Sequence, residues 1–131
     1  FAGSGALGFE AGSRGATKVV MVEPVARVVA ALHENAELIG ATSAVEIKRA
    51  DALQYLASAK IKFDLIFLDP PFNKGWLSRL EPLLAGVLKD DAALYVESEN
   101  KLEALGEWRT IRHGRAGEVH FHLMRREQLE T

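Results

Sequence analysis

Asp69-Pro70-Pro71-Phe72 closes an apolar run, Phe63-Asp-Leu-Ile-Phe-Leu68, and carries the most specific chemistry in the sequence. The lone pair of an aromatic exocyclic amine is delocalised into its ring, so the nitrogen is a poor nucleophile. Two acceptors that take the amine hydrogens favour a more pyramidal, reactive nitrogen. The Asp69 carboxylate and the Pro70 carbonyl form such a pair. The consecutive prolines Pro70 and Pro71 fix the direction of that carbonyl and remove competing N–H donors. Phe72 offers a flat face on which a nucleobase stacks. A turn of this kind works by positioning and preorganised electrostatics, which is enough when the electrophile is already strong. The plain structural alternative is a strand-ending proline turn with a core phenylalanine.

A second group lies upstream. Gly3-Ser-Gly5-Ala-Leu-Gly8 satisfies the glycine pattern of nucleotide-cofactor loops, and Glu23 ends the next apolar run twenty residues beyond Gly3. Glycines allow a tight turn and a close backbone approach, while a carboxylate at the end of the following strand accepts both ribose hydroxyls. A turn leading into a helix would use the same glycines, and the loop alone does not separate nicotinamide, flavin and S-adenosylmethionine cofactors. Asp51-Ala52 is a third element at the same carboxyl edge. A carboxylate there can accept an adenine amine while a neighbouring N–H donates to the ring; a helix N-cap aspartate is the equal alternative.

These residues need a frame. Lys18–Glu23 reads as a buried parallel strand. Val25, Val28, Val29, Leu32, Ala36 and Ile39 recur at helical spacing up to Gly40, with Arg27, Glu34 and Glu37 on the other face. Val45–Arg49 alternates like a strand, and Asp51 opens a short helix through Leu56. Phe63–Leu68 reads as a central strand ended by the prolines. A helix is expected from about Gly75 to Leu88 and a strand over Ala92–Glu97. Trp108–Ile111 and Val119–Met124, flanking Gly114-Arg-Ala-Gly117, read as an antiparallel hairpin. The expected fold is α/β: a Rossmann-like sheet, mostly parallel, with a C-terminal antiparallel hairpin. Residues 1–131 are expected to be one catalytic domain. A glycine loop normally follows a buried strand and this chain opens inside the loop, so the first strand is expected to be missing, the chain being N-terminally truncated.

Composition narrows the classes. The chain has 131 residues, 48% of them hydrophobic and 26% charged, with a net charge of −2 and no cysteine. Thiol nucleophiles and thiolate metal sites within this chain are excluded, and with them the covalent route to methylation at a pyrimidine carbon. No run is long enough to span a bilayer, and a cytoplasmic, membrane-free monomer is expected. From Arg109 to Arg126, five arginines and the single acid Glu118 leave a local excess of four positive charges, with His113, His120 and His122 in the same stretch. That is either a solvated hairpin or a phosphate-facing surface. His120 and His122 share a strand face without a third ligand in view, and no metal is expected. Asn35 reads as solvated, and Trp76 as lining a cleft or covering the sheet.

The succession Phe1-Ala-Gly-Ser-Gly-Ala-Leu-Gly8, Ser13-Arg-Gly-Ala16, Glu23, Arg49-Ala-Asp51-Ala52, Phe63–Phe72, Tyr95-Val-Glu-Ser-Glu99 and Gly114-Arg-Ala-Gly-Glu-Val-His-Phe121 resembles the RsmD-type 16S rRNA guanine-N2 methyltransferases. The resemblance covers essentially the whole chain. It implies a class I methyltransferase fold, S-adenosylmethionine as methyl donor, and transfer to the 2-amino group of guanine 966 in 16S rRNA, within the 30S subunit or its assembly intermediate. Ala2, Gly3, Ser4, Gly5 and Gly8 would then line the methionine end of the cofactor. Glu23 would hold its ribose, Pro24 would lie against the adenine, and Asp51 and Ala52 would read the adenine edge. Asp69, Pro70, Pro71 and Phe72 would form the turn that grips the guanine. Two rivals remain at this point: a DNA adenine amino-methyltransferase, for which the same turn would serve, and a Rossmann-like dehydrogenase or nucleotide-binding module without methyl transfer.

Overall fold

The computed structural model describes residues 19–38, 40, 45–71 and 75–126. The glycine loop with Ala2, Gly3, Ser4, Gly5 and Gly8, and also Phe72, lie outside the described residues. The chain divides into two units, Phe1–Tyr55 and Leu56–Thr131.

In the first unit, β1 (Val19–Glu23) pairs in parallel with β2 (Val45–Arg49), from Val19 opposite Val45 to Glu23 opposite Arg49. The β-branched run of β1 suits this ladder. The connection is α1 (Ala26–Leu38), whose buried residues Leu32 and Ala36 are one turn apart and whose Arg27, Glu34 and Glu37 are exposed. Gly40, at φ 70°, takes the left-handed conformation that ends the element cheaply. A short helix, α2 (Ala52–Ser58), follows β2.

In the second unit the strand order is β3-β4-β7-β6-β5. β3 (Phe63–Leu68) runs parallel to β4 (Leu88–Ser98), and β4 runs antiparallel to β7 (Val119–Arg126). β7 pairs antiparallel with β6 (Trp108–Ala116), which in turn pairs with the two-residue β5 (Ala104–Leu105). The parallel β3–β4 crossover carries α3 (Trp76–Leu84). Along β4, Ala92, Leu94, Val96 and Ser98 are buried while Ala93, Tyr95 and Glu97 are half-buried. That period of two separates a core face from a second face. The core face continues through Met124 and His122 of β7 and Trp108 of β6, with Leu80 and Leu84 of α3 also fully buried.

Two expected boundaries shift. The helix expected to reach Leu88 stops at Leu84, two residues past an internal Pro82, and the chain turns at 85–87. Leu88 therefore opens β4, four residues before the expected start at Ala92. The hairpin strands are also longer than Trp108–Ile111 and Val119–Met124. β6 runs through Gly114 to Ala116, and Gly117, at φ 62°, forms the tight turn with Glu118. Gly114 pairs with Phe121, and a Cβ built on Gly114 would lie 2.8 Å from the Phe121 Cζ. The glycine is thus a site of close cross-strand packing and not the loop.

Candidate active site

In the first unit the end-on register of β1 and β2 brings two of the expected cofactor residues to one edge. Glu23 is the last residue of β1, 8% exposed, and its backbone carbonyl accepts from the Ala50 N–H at 3.1 Å. Its Oε2 accepts from the Val25 N–H at 3.2 Å, which turns the carboxylate across the start of α1. Pro24 is exposed between them. Asp51 follows the end of β2, and its Oδ1 accepts from the N–H groups of Leu53 (2.9 Å) and Gln54 (3.2 Å). Asp51 is therefore the N-cap of α2, with half-buried Ala52 as the first helical residue. Capping engages one carboxylate oxygen and is compatible with a second acceptor role for the same side chain. Two acids thus stand at the carboxyl ends of adjacent parallel strands, the edge where ligands collect in sheets of this kind.

The second unit holds the proline turn. Asp69 leaves the end of β3 exposed, while Pro70 is buried and Pro71 exposed. A buried Pro70 anchors the turn beneath an accessible carboxylate, and neither proline has an N–H to compete for an acceptor.

Sequence reasoning assigned no role to Glu97, although it lies in the Tyr95–Glu99 motif. Leu68 pairs with Val96, so the residue after β3 comes beside Glu97 of β4. The Tyr95 hydroxyl donates to Glu97 Oε1 at 3.3 Å. Burial holds the Glu97 carboxyl above the usual glutamate range, and the neighbouring Asp69 pushes it the same way; the Tyr95 hydrogen bond opposes this. The Tyr95 hydroxyl is raised by burial and then by the Glu97 charge. The Phe67 ring meets Tyr95 edge-on at 5.6 Å. The signal that could have found Glu97 is the alternation of β4, which sets Tyr95 and Glu97 on one face.

Tyr95 also borders a shallow groove of about 310 Å³, with Arg112, Gly114, Phe121 and Leu123 along it. The five arginines of the hairpin are not equivalent. Arg126 bonds Asp90 (2.6 Å) and Glu107 (2.8 Å) and lies 5.4 Å over the Trp108 ring, and Arg125 donates to the Asp91 carbonyl at 2.7 Å. Arg115 donates to the Gly117 carbonyl at 2.8 Å, whereas Arg112 is exposed beside the groove. His122 is buried and His120 half-buried, with His113 Nε2 2.8 Å from His120 Nδ1. Among the described residues no group of three or more His, Cys, Asp or Glu is arranged to hold a metal ion. Trp76 carries the Arg79 guanidinium at 3.9 Å over its ring, and Asn35 is exposed on α1.

Parallel strands joined by helices, an antiparallel closing hairpin and acids at the strand ends define the class I methyltransferase fold. The chain belongs to the family described as conserved hypothetical protein 95, which it matches over residues 1–125. It is 38% identical to ribosomal RNA small subunit methyltransferase D of Escherichia coli strain K12, covering 97% of this chain and 66% of that protein. Identity to the protein of the same name from Buchnera aphidicola subsp. Baizongia pistaciae is 33%, over 94% of this chain and 65% of the relative. The chain thus spans slightly less than two thirds of these relatives. Among solved structures, the Escherichia coli methyltransferase yhhF superposes with a TM-score of 0.87 at 36% identity, covering 98% of this chain and 73% of that one. The family resemblance carried by the sequence motifs is borne out.

Proposed function

We propose that this chain is the catalytic domain, residues 1–131, of an S-adenosylmethionine-dependent methyltransferase of small-subunit ribosomal RNA. Its acceptor is the 2-amino group of a guanine, position 966 of 16S rRNA, presented by the 30S subunit or its assembly intermediate. The observation that carries this reading is the exposed Asp69 carboxylate on a turn anchored by buried Pro70 at the carboxyl end of a parallel strand.

Glu23 and Asp51 suit the donor. Glu23 is an acid at a strand end, turned by the Val25 N–H, and accepts ribose hydroxyls; Asp51, fixed by its cap to α2, accepts the adenine amine. Ala52 presents backbone beside it, Pro24 packs against the ring, and Ala2, Gly3, Ser4, Gly5 and Gly8 take the methionine end. When bound, S-adenosylmethionine supplies an activated methyl group on a sulfonium. Asp69 and the Pro70 carbonyl accept the two amine hydrogens, Pro71 stiffens the turn, and Phe72 stacks on the base. These groups hold the nitrogen lone pair toward the methyl carbon, which is a contribution of orientation. No helix among the described residues is long and apolar enough to cross a membrane. The reading places the protein in the cytoplasm as a monomer.

The test supplies labelled S-adenosylmethionine with unmethylated 30S particles or duplex DNA, followed by nucleoside analysis. N2-methylguanosine from 16S rRNA is the expected product. Label recovered as N6-methyladenosine from DNA, or calorimetric binding of NAD without S-adenosylhomocysteine, overturns the reading.

A further inference from the structure

The Trp76–Arg79 pair at the start of α3 has no part in the proposed function, although α3 follows the amine-gripping turn directly in the chain. We propose that Arg79, held flat against the Trp76 ring, binds a phosphate of the RNA strand that flanks the target guanine. The inference rests on the proposed function and deepens it, by naming a contact to the substrate away from the reacting base.

Topology places the pair. β3 and β4 are parallel, so the chain must return from the end of one to the start of the other, and α3 makes that return. The first residues of α3 therefore lie at the sheet edge where β3 ends and Asp69 stands. Trp76 comes seven positions after Asp69, a span of at most about 25 Å. A strand whose guanine is held by the turn carries its neighbouring phosphates past this helix end.

The geometry of the pair suits a phosphate. The Arg79 guanidinium lies 3.9 Å over the Trp76 ring, and a separation of three residues puts both on one helix face. Trp76 is half-buried and Arg79 exposed, so the indole is the floor and the cation the solvent-facing layer. Stacking occupies one face of the guanidinium and leaves its in-plane N–H donors directed outward along the edges. Such an edge matches two phosphate oxygens. Resting on the ring also restricts the rotamers that a free arginine would have to give up on binding.

Local acids do not claim the charge. Among the ion pairs of the described residues Arg79 takes part in none. From Pro70 to Leu80 the sequence carries Lys74 and Arg79 and no acid. Glu81 is the acid of α3, and two positions beyond Arg79 it is turned about 200° around the helix. Its side chain lies against Gly106, where an added Cβ would meet the Glu81 Cγ at 2.9 Å. The cation beside the turn stays uncompensated, as a contact to a polyanion requires.

The experiment uses the full chain, unmethylated 30S particles and labelled S-adenosylmethionine, with particle binding followed across a salt series. Arg79→Ala should weaken binding about tenfold and lower the salt slope by roughly 0.7, the share of one phosphate on a single strand. KM for the particles should rise about tenfold, with kcat and S-adenosylhomocysteine affinity within about twofold of wild type. Arg79→Lys keeps the charge without the planar fork; it should restore the salt slope and bring affinity to within about threefold of wild type. Trp76→Leu should keep the slope and weaken binding about threefold, because the cation remains and its platform is gone. Circular dichroism melts of each variant confirm folding. A lower melting point for Arg79→Ala with unchanged affinity and slope makes the pair a helix staple and overturns the contact. Wild-type protein that transfers no methyl to the particles overturns the proposed function itself. Full wild-type transfer beside an Arg79→Ala variant of wild-type KM and salt slope overturns this inference alone.

Discussion

His122 donates its Nδ1 proton to the Val96 carbonyl across 3.0 Å, while its Nε2 accepts from the Leu102 N–H at 2.9 Å. A ring nitrogen facing a carbonyl must be the donor, and one facing an N–H must be the acceptor. The imidazole is therefore neutral, in a single tautomer, and ties β7 to β4 and to the segment before β5.

The first prediction concerns acid. Burial lowers the His122 value below the ordinary 6.5, and the charge of His113 adds to this; the hydrogen bond to Val96 opposes it. The unfolded chain takes up its proton near 6.5 and the folded chain only below that. The stabilisation is thus complete above 6.5 and lost as pH falls through the folded value. Urea titrations at pH 7.5 and 5.5 should show the lower midpoint at the acid pH. His122→Ala should cost roughly 1–3 kcal/mol at neutral pH by stranding two backbone groups, and should weaken the acid dependence.

Asp51 has two separable tasks. Asp51→Ala should destabilise the chain by about 1 kcal/mol through loss of the α2 cap, which Asp51→Ser should retain. If the carboxylate also reads adenine, Asp51→Ser should still lose about tenfold in S-adenosylhomocysteine affinity by calorimetry. Unchanged affinity in Asp51→Ser would leave the residue as a cap alone.

The cross-strand pair Gly114–Phe121 makes a third case. Gly114→Ala places a methyl against the ring and should cost roughly 1–3 kcal/mol in chemical denaturation. In Gly114→Ala combined with Phe121→Leu the penalties should be less than additive, because the smaller side chain vacates the contested space.

The arginines of the hairpin should divide by function. Arg126 links Asp90 and Glu107 and lies over Trp108. Arg126→Ala should cost about 1 kcal/mol of stability, and Arg126→Lys should restore little because an ammonium lacks the planar fork. Arg112→Ala should leave stability within about 0.5 kcal/mol. It should weaken rRNA binding and lower the salt dependence of that binding by about one phosphate contact. Equal effects of the two substitutions on RNA affinity would remove the division.

Much of the fold is legible in the sequence, and the exceptions share a physical origin. β3 occupies Phe63–Leu68 as its apolar run predicts, and Gly40 ends α1 as expected. These are local signals, a hydrophobic run and a backbone preference. Lys89-Asp90-Asp91 falls between the expected helix and strand but belongs to β4, where exposure makes its composition uninformative. Gly114 reads as a turn because glycine is permissive; its actual requirement comes from Phe121, seven residues on. Glu97 belongs to the Tyr95–Glu99 motif, which by itself gives the residue no role. Its place beside Asp69 depends on a ladder between strands separated by a whole helix, and no spacing along the chain encodes that.

β4 is the only described strand in its unit with a parallel neighbour on one edge and an antiparallel neighbour on the other. Ala93 to Val96 are laddered on both sides, so none of them lies on a free sheet edge. Their amides should be among the slowest-exchanging protons of the unit. β6 and β5, beyond β7, can open on a faster timescale without breaking the β3–β4 ladder beside Asp69. Under the proposed function, this division would let the basic edge adapt to RNA while the β3–β4 seam beside Asp69 stays paired.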